Sequence, residues 1–202
     1  MLIGIFLFAA TAPDGAVQRG ILVLLEVATL VLALWTSGLS QNVALGASLA
    51  TLGVLISGAA LLDHGHVASG TLWVVNVALL LAIAVAVAIG ITDQREVNRQ
   101  SVTGAICVYI LIGLMFALVY GAAAAYGSGF FFAQGTDGTT SLRLYFSYVT
   151  LATLGYGDYT PSGDFGHTAA ISEALIGQLY LVTVVALLVA NFGRTRTAVE
   201  ED

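Results

Sequence analysis

Lysine is absent from this chain of 202 residues, and its basic side chains are six arginines. Charged residues of both signs make up only 9% of the sequence, and the formal net charge is −6. Proteins that bind nucleic acid do so mainly through dense basic surfaces, so a nucleic-acid partner is not expected. The single cysteine, Cys107, lies in an apolar segment and is interpreted as a small packing residue.

Apolar residues, by contrast, account for 58% of the chain. A soluble domain of this size would expose more apolar surface than water tolerates, which indicates a membrane protein surrounded by lipid. An apolar run of about 20 residues crosses the hydrocarbon core as a helix. The sequence predicts five such crossings, at residues 21–39, 43–62, 71–92, 102–126 and 168–193.

The first ten residues are apolar but cover only about half of a spanning helix. A signal peptide is one interpretation, although no basic residue precedes the apolar run. The alternatives are a half-helix packed against its neighbours and a piece of a longer first span. The sequence leaves these open.

The segment between the last two predicted spans reads TLATLGYGDYTP over residues 150–161. Gly155 and Gly157 can adopt positive φ angles, which would turn neighbouring carbonyl groups toward one common axis. A ring of such oxygens can replace the hydration shell of an ion. In its order and spacing, together with the aromatic run from Leu142 before it and Pro161 and Gly166 after it, this segment resembles the tetrameric pore-loop potassium channels.

The resemblance covers roughly residues 102–193 and implies an all-α integral membrane protein, a helical bundle with a re-entrant filter loop that assembles as a tetramer. It implies a pore domain at 101–193, with an outer helix at 102–126, a pore helix at 141–152 and an inner helix at 168–193. Potassium is the implied permeant ion, with no other cofactor, and the implied activity is passive conduction, not enzymatic catalysis. The implied ion-binding residues of the filter are Thr153, Leu154, Gly155, Tyr156 and Gly157.

Other residues would support this filter. Thr140 or Ser141 is the expected N-cap of the pore helix. Tyr145 could donate a hydrogen bond to Asp158, as a tryptophan often does in the family, whereas Phe146 cannot donate. Thr150 is a further supporting residue, and Gly177 stands where many members of the family carry an inner-helix hinge.

Glu173 lies about one helical turn before Gly177, so it should be level with the filter. A lone carboxylate is costly to bury as an anion, so it must be neutral, paired or in contact with trapped water. We expect it to brace the pore helix or the filter through Ser147, Thr150 or the backbone. The alternative is a solvated residue near the outer end of the helix.

Residues 1–100 form the expected N-terminal group of transmembrane helices. The span at 71–92 has no arginine, and Asn76 is its only strongly polar residue, so little or no voltage sensing is expected. Arginines in 93–100 and in the tail 194–202 place both segments in the cytoplasm and residues 127–167 outside. The protein is therefore expected in the cell membrane as a multi-pass homotetramer, surrounded by lipid. The tail is too short to fold as a ligand-binding domain.

The sequence gives less support to other functions. Gly155 to Asp158 also fits the Gly-x-Gly-Asp pattern of intramembrane aspartyl proteases, but that chemistry needs a second intramembrane aspartate, and the sequence has none in a predicted span. A non-conducting structural subunit does not account for an intact filter. A less selective monovalent cation channel is the main alternative. His64, His66 and His167 could sense external acid, but they are too few for a metal site.

Overall fold

A computed structural model describes residues 99–192 continuously. In the N-terminal half it describes residues 21–22, 24–29, 74 and 76–85, and the isolated positions 4, 8 and 11. The predicted span at 43–62, the tail at 194–202, His64 and His66 lie outside the described residues. Most of the first ten residues, most of the span at 21–39 and half of the span at 71–92 also lie outside them.

The described part of the chain contains three long or well-bounded helices and no strand. They are α1 (Arg99–Tyr126), α2 (Thr140–Leu151) and α3 (Asp164–Phe192). Helical segments at 24–29 and 76–85 belong to the N-terminal half. The predicted all-α fold is confirmed for these residues. Both long helices begin a few residues earlier than expected, because their first turns are polar and lie outside the apolar run.

The lengths of the helices distinguish them. Within α1, the apolar stretch Val102–Tyr126 is the one helix among the described residues that is long and apolar enough to cross a membrane. Its 25 residues extend for about 37 Å at 1.5 Å per residue, against a hydrocarbon core of about 30 Å. Helix α2, with 12 residues, reaches only about 18 Å. A helix of that length can enter such a core but cannot cross it, so the chain after it must turn back.

The helices pack through two apolar clusters. One joins α1 and α2 to the N-terminal helical segments through buried aliphatic residues that include Leu79, Ile83, Leu111 and Leu144. The other is aromatic and lies between α1, α2 and the loop at 127–139; it consists of Phe116, Tyr120, Phe131, Phe132 and Phe146. Together they fix α2 against α1 and position the loop that follows α2.

The loop at 127–139 is tied to the segment after the filter. Phe132 pairs in isolated β-bridges with Thr136 and Pro161. The Ala133 amide donates to the Thr160 carbonyl at 2.8 Å, and the Ser162 amide donates to the Phe131 carbonyl at 2.8 Å. These bonds hold the segment at 160–162, which follows the expected filter residues, to the loop at 127–139.

Candidate functional site

Helix α2 directs its C-terminal carbonyl groups at residues 153–155. It begins after Thr139, whose side chain accepts a hydrogen bond from the Leu142 amide at 3.1 Å. The expected cap at Thr140 or Ser141 was therefore wrong, because Thr139 has the extended backbone that a cap requires and Thr140 is already helical. At the other end, the Leu154 and Gly155 amides both donate to the Val149 carbonyl, at 2.9 and 3.4 Å.

The backbone from Thr153 to Gly157 alternates in handedness. Thr153, Gly155 and Gly157 have φ of 56°, 57° and 74°, whereas Leu154 and Tyr156 keep negative φ. Successive residues of opposite handedness turn their peptide groups to the same side, as in the nests that bind ions through consecutive amides. Here the amides of residues 153–155 are bonded to the carbonyl groups at the end of α2.

Gly155 and Gly157 have the positive φ expected from the sequence, but the positive φ of Thr153 was not expected. A non-glycine residue with positive φ is uncommon, and the conformation costs about 1–2 kcal/mol. Its amide donates to the Thr150 carbonyl at 2.9 Å, which is one contact that holds it there. Strain of this kind is concentrated at functional sites.

The outer end of this segment is held from two directions. Tyr145 on α2 donates to Asp158 Oδ2 at 2.8 Å and stacks on Tyr156, with 6.4 Å between ring centroids. The hydrogen bond to Asp158, aided by partial desolvation, raises the pKa of Tyr145 to about 12. The bond that the sequence suggested between Tyr145 and Asp158 is therefore present.

Gln134, in the loop at 127–139, holds the same segment from the other side. Its Nε2 donates to the Asp158 carbonyl at 2.9 Å, and its Oε1 accepts from the Thr160 amide at 3.3 Å. Sequence analysis missed this residue, since a single glutamine in a long loop carries no pattern. Its contacts are 24 and 26 residues away in the chain.

Thr150 contributes through its backbone. Its carbonyl accepts from Thr153, whereas no hydrogen bond joins its hydroxyl to Tyr156 within the described part of the subunit. Phe146 is buried in the aromatic cluster and packs against Tyr120 and Phe132. Phe146, whose side chain cannot donate a hydrogen bond, therefore has a packing function.

Behind the filter segment, Glu173 of α3 is fully buried. Ser147 of α2 contacts its Oε1, and Tyr120 of α1 donates to its Oε2 at 2.5 Å. Ser147 is one of the partners expected from the sequence, and the alternative of a solvated carboxylate was wrong. Tyr120 was missed because it lies 53 residues away and belongs to an otherwise apolar helix.

Gly177 lies where α3 passes the end of α2. A Cβ atom at this position would be 2.7 Å from both the carbonyl oxygen and Cδ1 of Leu151. Helix α3 continues through Gly177 from Asp164 to Phe192. The observed contact is therefore one of close packing, and hinge motion at Gly177 stays a prediction.

His167 is exposed in the first turn of α3. Among the residues that the structure describes, no three His, Cys, Asp or Glu side chains are grouped to hold a metal ion. Cys107 is half-buried in α1 and has a free thiol.

This part of the chain is similar in sequence to known proteins. Residues 104–194 match the family model described as "Ion channel". The inward rectifier potassium channel Kirbac3.1 of Paramagnetospirillum magnetotacticum is 33% identical over 92 residues, which are 46% of this chain and 30% of the relative. The potassium voltage-gated channel protein shk-1 of Caenorhabditis elegans is 35% identical over 72 residues, 33% of this chain and 13% of the relative.

The chain thus spans less than a third of the length of either relative. No solved structure is significantly similar to it. The match coincides with the three helices and the loop described above, and it points to an ion channel. Residues 104–194 are therefore similar in sequence to an ion-channel family, and two relatives that match this region are potassium channels.

Proposed function

We propose that this chain is one subunit of a tetrameric potassium channel that conducts K⁺ passively. The observation that carries the proposal is the alternating backbone of Thr153, Gly155 and Gly157 directly after the C-terminus of a short helix. One such strand cannot surround an ion. Four copies around an axis, each contributing one filter strand and one α3, would form closed rings of carbonyl oxygens.

Potassium is the ion that these groups fit best. Carbonyl oxygens from Thr153 to Gly157, with the Thr153 hydroxyl at the inner end, would replace its hydration shell. The C-terminus of α2 carries the negative end of the helix dipole, which lowers the free energy of a cation near the membrane centre. Both effects act without a cofactor.

A less selective monovalent cation channel is the second candidate. Phe146 is buried among aromatic rings and donates no hydrogen bond to the filter region, so this position adds packing without a polar brace. The outer end of the filter depends on Tyr145 and Gln134 instead. Weaker bracing would widen the range of ions that the filter accepts.

In the proposed topology the chain is multi-pass, with the filter opening outward and the C-terminus in the cytoplasm. Arginines near the start of α1 and in the tail favour this orientation. Residues 101–193 are the pore domain, and residues 1–100 are additional transmembrane helices for packing or assembly, without voltage sensing.

Flux measurements on purified protein in liposomes test this proposal. Wild-type protein should carry K⁺ and exclude Na⁺, and cross-linking should give species up to four subunits. Gly129→Ala is the matched control for Gly155→Ala, because both glycines have open space around the Cβ position and, of the two, Gly155 alone has a positive φ. Equal flux of Na⁺ and K⁺ would favour the less selective channel, and absence of flux would contradict both candidates.

A further inference from the structure

Glu173, Tyr120 and Ser147 join the three helices at one buried point. All three side chains are fully inaccessible to solvent within a single subunit. Ser147 Oγ contacts Glu173 Oε1 and also lies 2.7 Å from the Gly113 carbonyl oxygen of α1. Tyr120 Oη lies 2.5 Å from Glu173 Oε2. The result is a chain of three contacts that runs from α1 through α3 and α2 back to α1.

The number of protons along this chain of contacts determines whether Glu173 is protonated. A hydroxyl group has one proton to donate, and a backbone carbonyl can only accept. If Glu173 were a carboxylate, the three contacts would share two protons, one from Tyr120 and one from Ser147. Either the Ser147 contact with Glu173 or its contact with Gly113 would then lack a hydrogen.

A protonated Glu173 supplies the missing hydrogen. Tyr120 then donates to Oε2, the acid group on Oε1 donates to Ser147 Oγ, and Ser147 donates to the Gly113 carbonyl. Each contact has one proton, and every donor points in the same direction along the chain. Buried polar networks are stable when every member is satisfied in this way.

The surroundings of Glu173 favour the same state. No cation contacts it among the described residues, and an unpaired anion at this depth would be costly. Arg143 of α2 lies one turn from Ser147, and its guanidinium group donates to the Asp137 and Gly138 carbonyls. Within the described ranges, the titratable side chains that interact with Glu173 are tyrosines: Tyr109 and Tyr120 of α1, and Tyr148 of α2.

We propose that Glu173 is held as a neutral carboxylic acid and acts as a positioning residue that locks α2 between α1 and α3. Ser147 lies one turn before Leu151, where α2 ends and the filter segment begins. The chain would therefore fix the height and rotation of the helix that carries the filter. This inference deepens the proposed channel function, but its physical test does not require conduction.

Two substitutions at Glu173 separate the proton from the side chain. Glu173→Gln offers an oxygen to Tyr120 and an N–H group to Ser147, so it reproduces the acid with no proton to lose. Glu173→Ala removes both contacts. Ser147→Ala interrupts the chain at its centre. Ser172→Ala is its matched control, because Ser172 is a half-buried serine whose hydroxyl donates to the Thr168 carbonyl within its own helix.

Infrared spectra of purified wild-type and Glu173→Gln protein at neutral pH give the direct test. The difference spectrum should show the carbonyl stretch of a protonated carboxylic acid in the wild type. Thermal unfolding in detergent gives the second readout. Ser172→Ala should unfold at the wild-type temperature and Glu173→Gln at that temperature or above it, because glutamine has no proton to release on unfolding. Glu173→Ala and Ser147→Ala should unfold at lower temperatures.

The pH dependence adds a readout that a purely structural role would not move. The unfolded wild type releases the Glu173 proton to water at neutral pH, so its unfolding equilibrium constant should rise about tenfold more per pH unit than that of Glu173→Gln. Carboxylate bands in the difference spectrum, or destabilisation of Glu173→Gln equal to that of Glu173→Ala, would overturn the proposal. Loss of selective flux with these results intact would refute only the channel function.

Discussion

Replacing Gly177 by alanine separates close packing from hinge motion at the position where α3 crosses the end of α2. The new Cβ would lie 2.7 Å from the Leu151 carbonyl oxygen and from Leu151 Cδ1. The side chain could rotate away, but the carbonyl oxygen belongs to the backbone of α2. The two helices would therefore have to move apart by several tenths of an ångström.

Two free-energy terms of opposite sign decide how Gly177→Ala changes the stability of the protein. Forcing an extra methyl group into a well-packed contact costs about 1–3 kcal/mol. Alanine is favoured over glycine within a helix by up to about 1 kcal/mol. Packing against Leu151 therefore predicts a net loss of about 1–2 kcal/mol per subunit. A glycine that served only as a flexible hinge would give the reverse, a gain of up to about 1 kcal/mol.

Thermal unfolding of the purified protein in detergent measures this sign. Gly163→Ala is the matched control, because it lies just before α3 with open space around its Cβ position. Gly177→Ala should unfold at a lower temperature than the wild type, and Gly163→Ala should not. Conduction should fall in parallel, since the Leu151 carbonyl directly precedes the filter segment. Equal or higher stability of Gly177→Ala would refute the packing argument.

Three further predictions concern the filter and the response to membrane voltage. Gly155→Ala should abolish or derange permeation, because an alanine at positive φ costs about 1–2 kcal/mol in each subunit even though its Cβ has open space; wild-type flux from this variant would contradict the carbonyl arrangement. Tyr145→Phe should shorten sustained conduction by releasing Asp158. In wild type the bond should persist until the pH approaches about 12, where Tyr145 loses its proton, and its stabilising contribution should fall between about pH 10 and 12. Recordings at stepped external pH measure both, and unchanged kinetics would argue against the brace. Voltage steps should alter open probability only weakly, since the span at 71–92 has no arginine; steep activation would refute this.

The order of the helices and the filter segment could be predicted from local signals. Apolar runs located α1 and α3 to within a few residues, the resemblance implied α2, and the spacing of Gly155 and Gly157 indicated a turned backbone. The polar first turns of α1 and α3 were missed because a search for apolar runs excludes them. The cap at Thr139 was missed by one residue, since three adjacent hydroxyl residues, Thr139, Thr140 and Ser141, all satisfy the pattern.

The bracing of the site could be predicted only in part. A contact between Glu173 and Ser147 was predicted only from the position of Glu173 along its helix, level with the filter. The bond between Tyr145 and Asp158 was predicted through the resemblance. Tyr120 and Gln134 could not be found, because their contacts depend on how distant segments pack. The positive φ of Thr153 is likewise imposed by its bonds to the end of α2, not by its own preference.

The most direct test of a potassium-selective pore is the reversal potential of purified protein in a planar bilayer with K⁺ and Na⁺ gradients imposed separately. A K⁺-selective filter predicts a reversal potential that moves by about 59 mV for each tenfold change in the K⁺ gradient, the value of 2.303RT/F. It predicts no movement with the Na⁺ gradient. A reversal potential that follows Na⁺ and K⁺ equally would contradict the proposed selectivity.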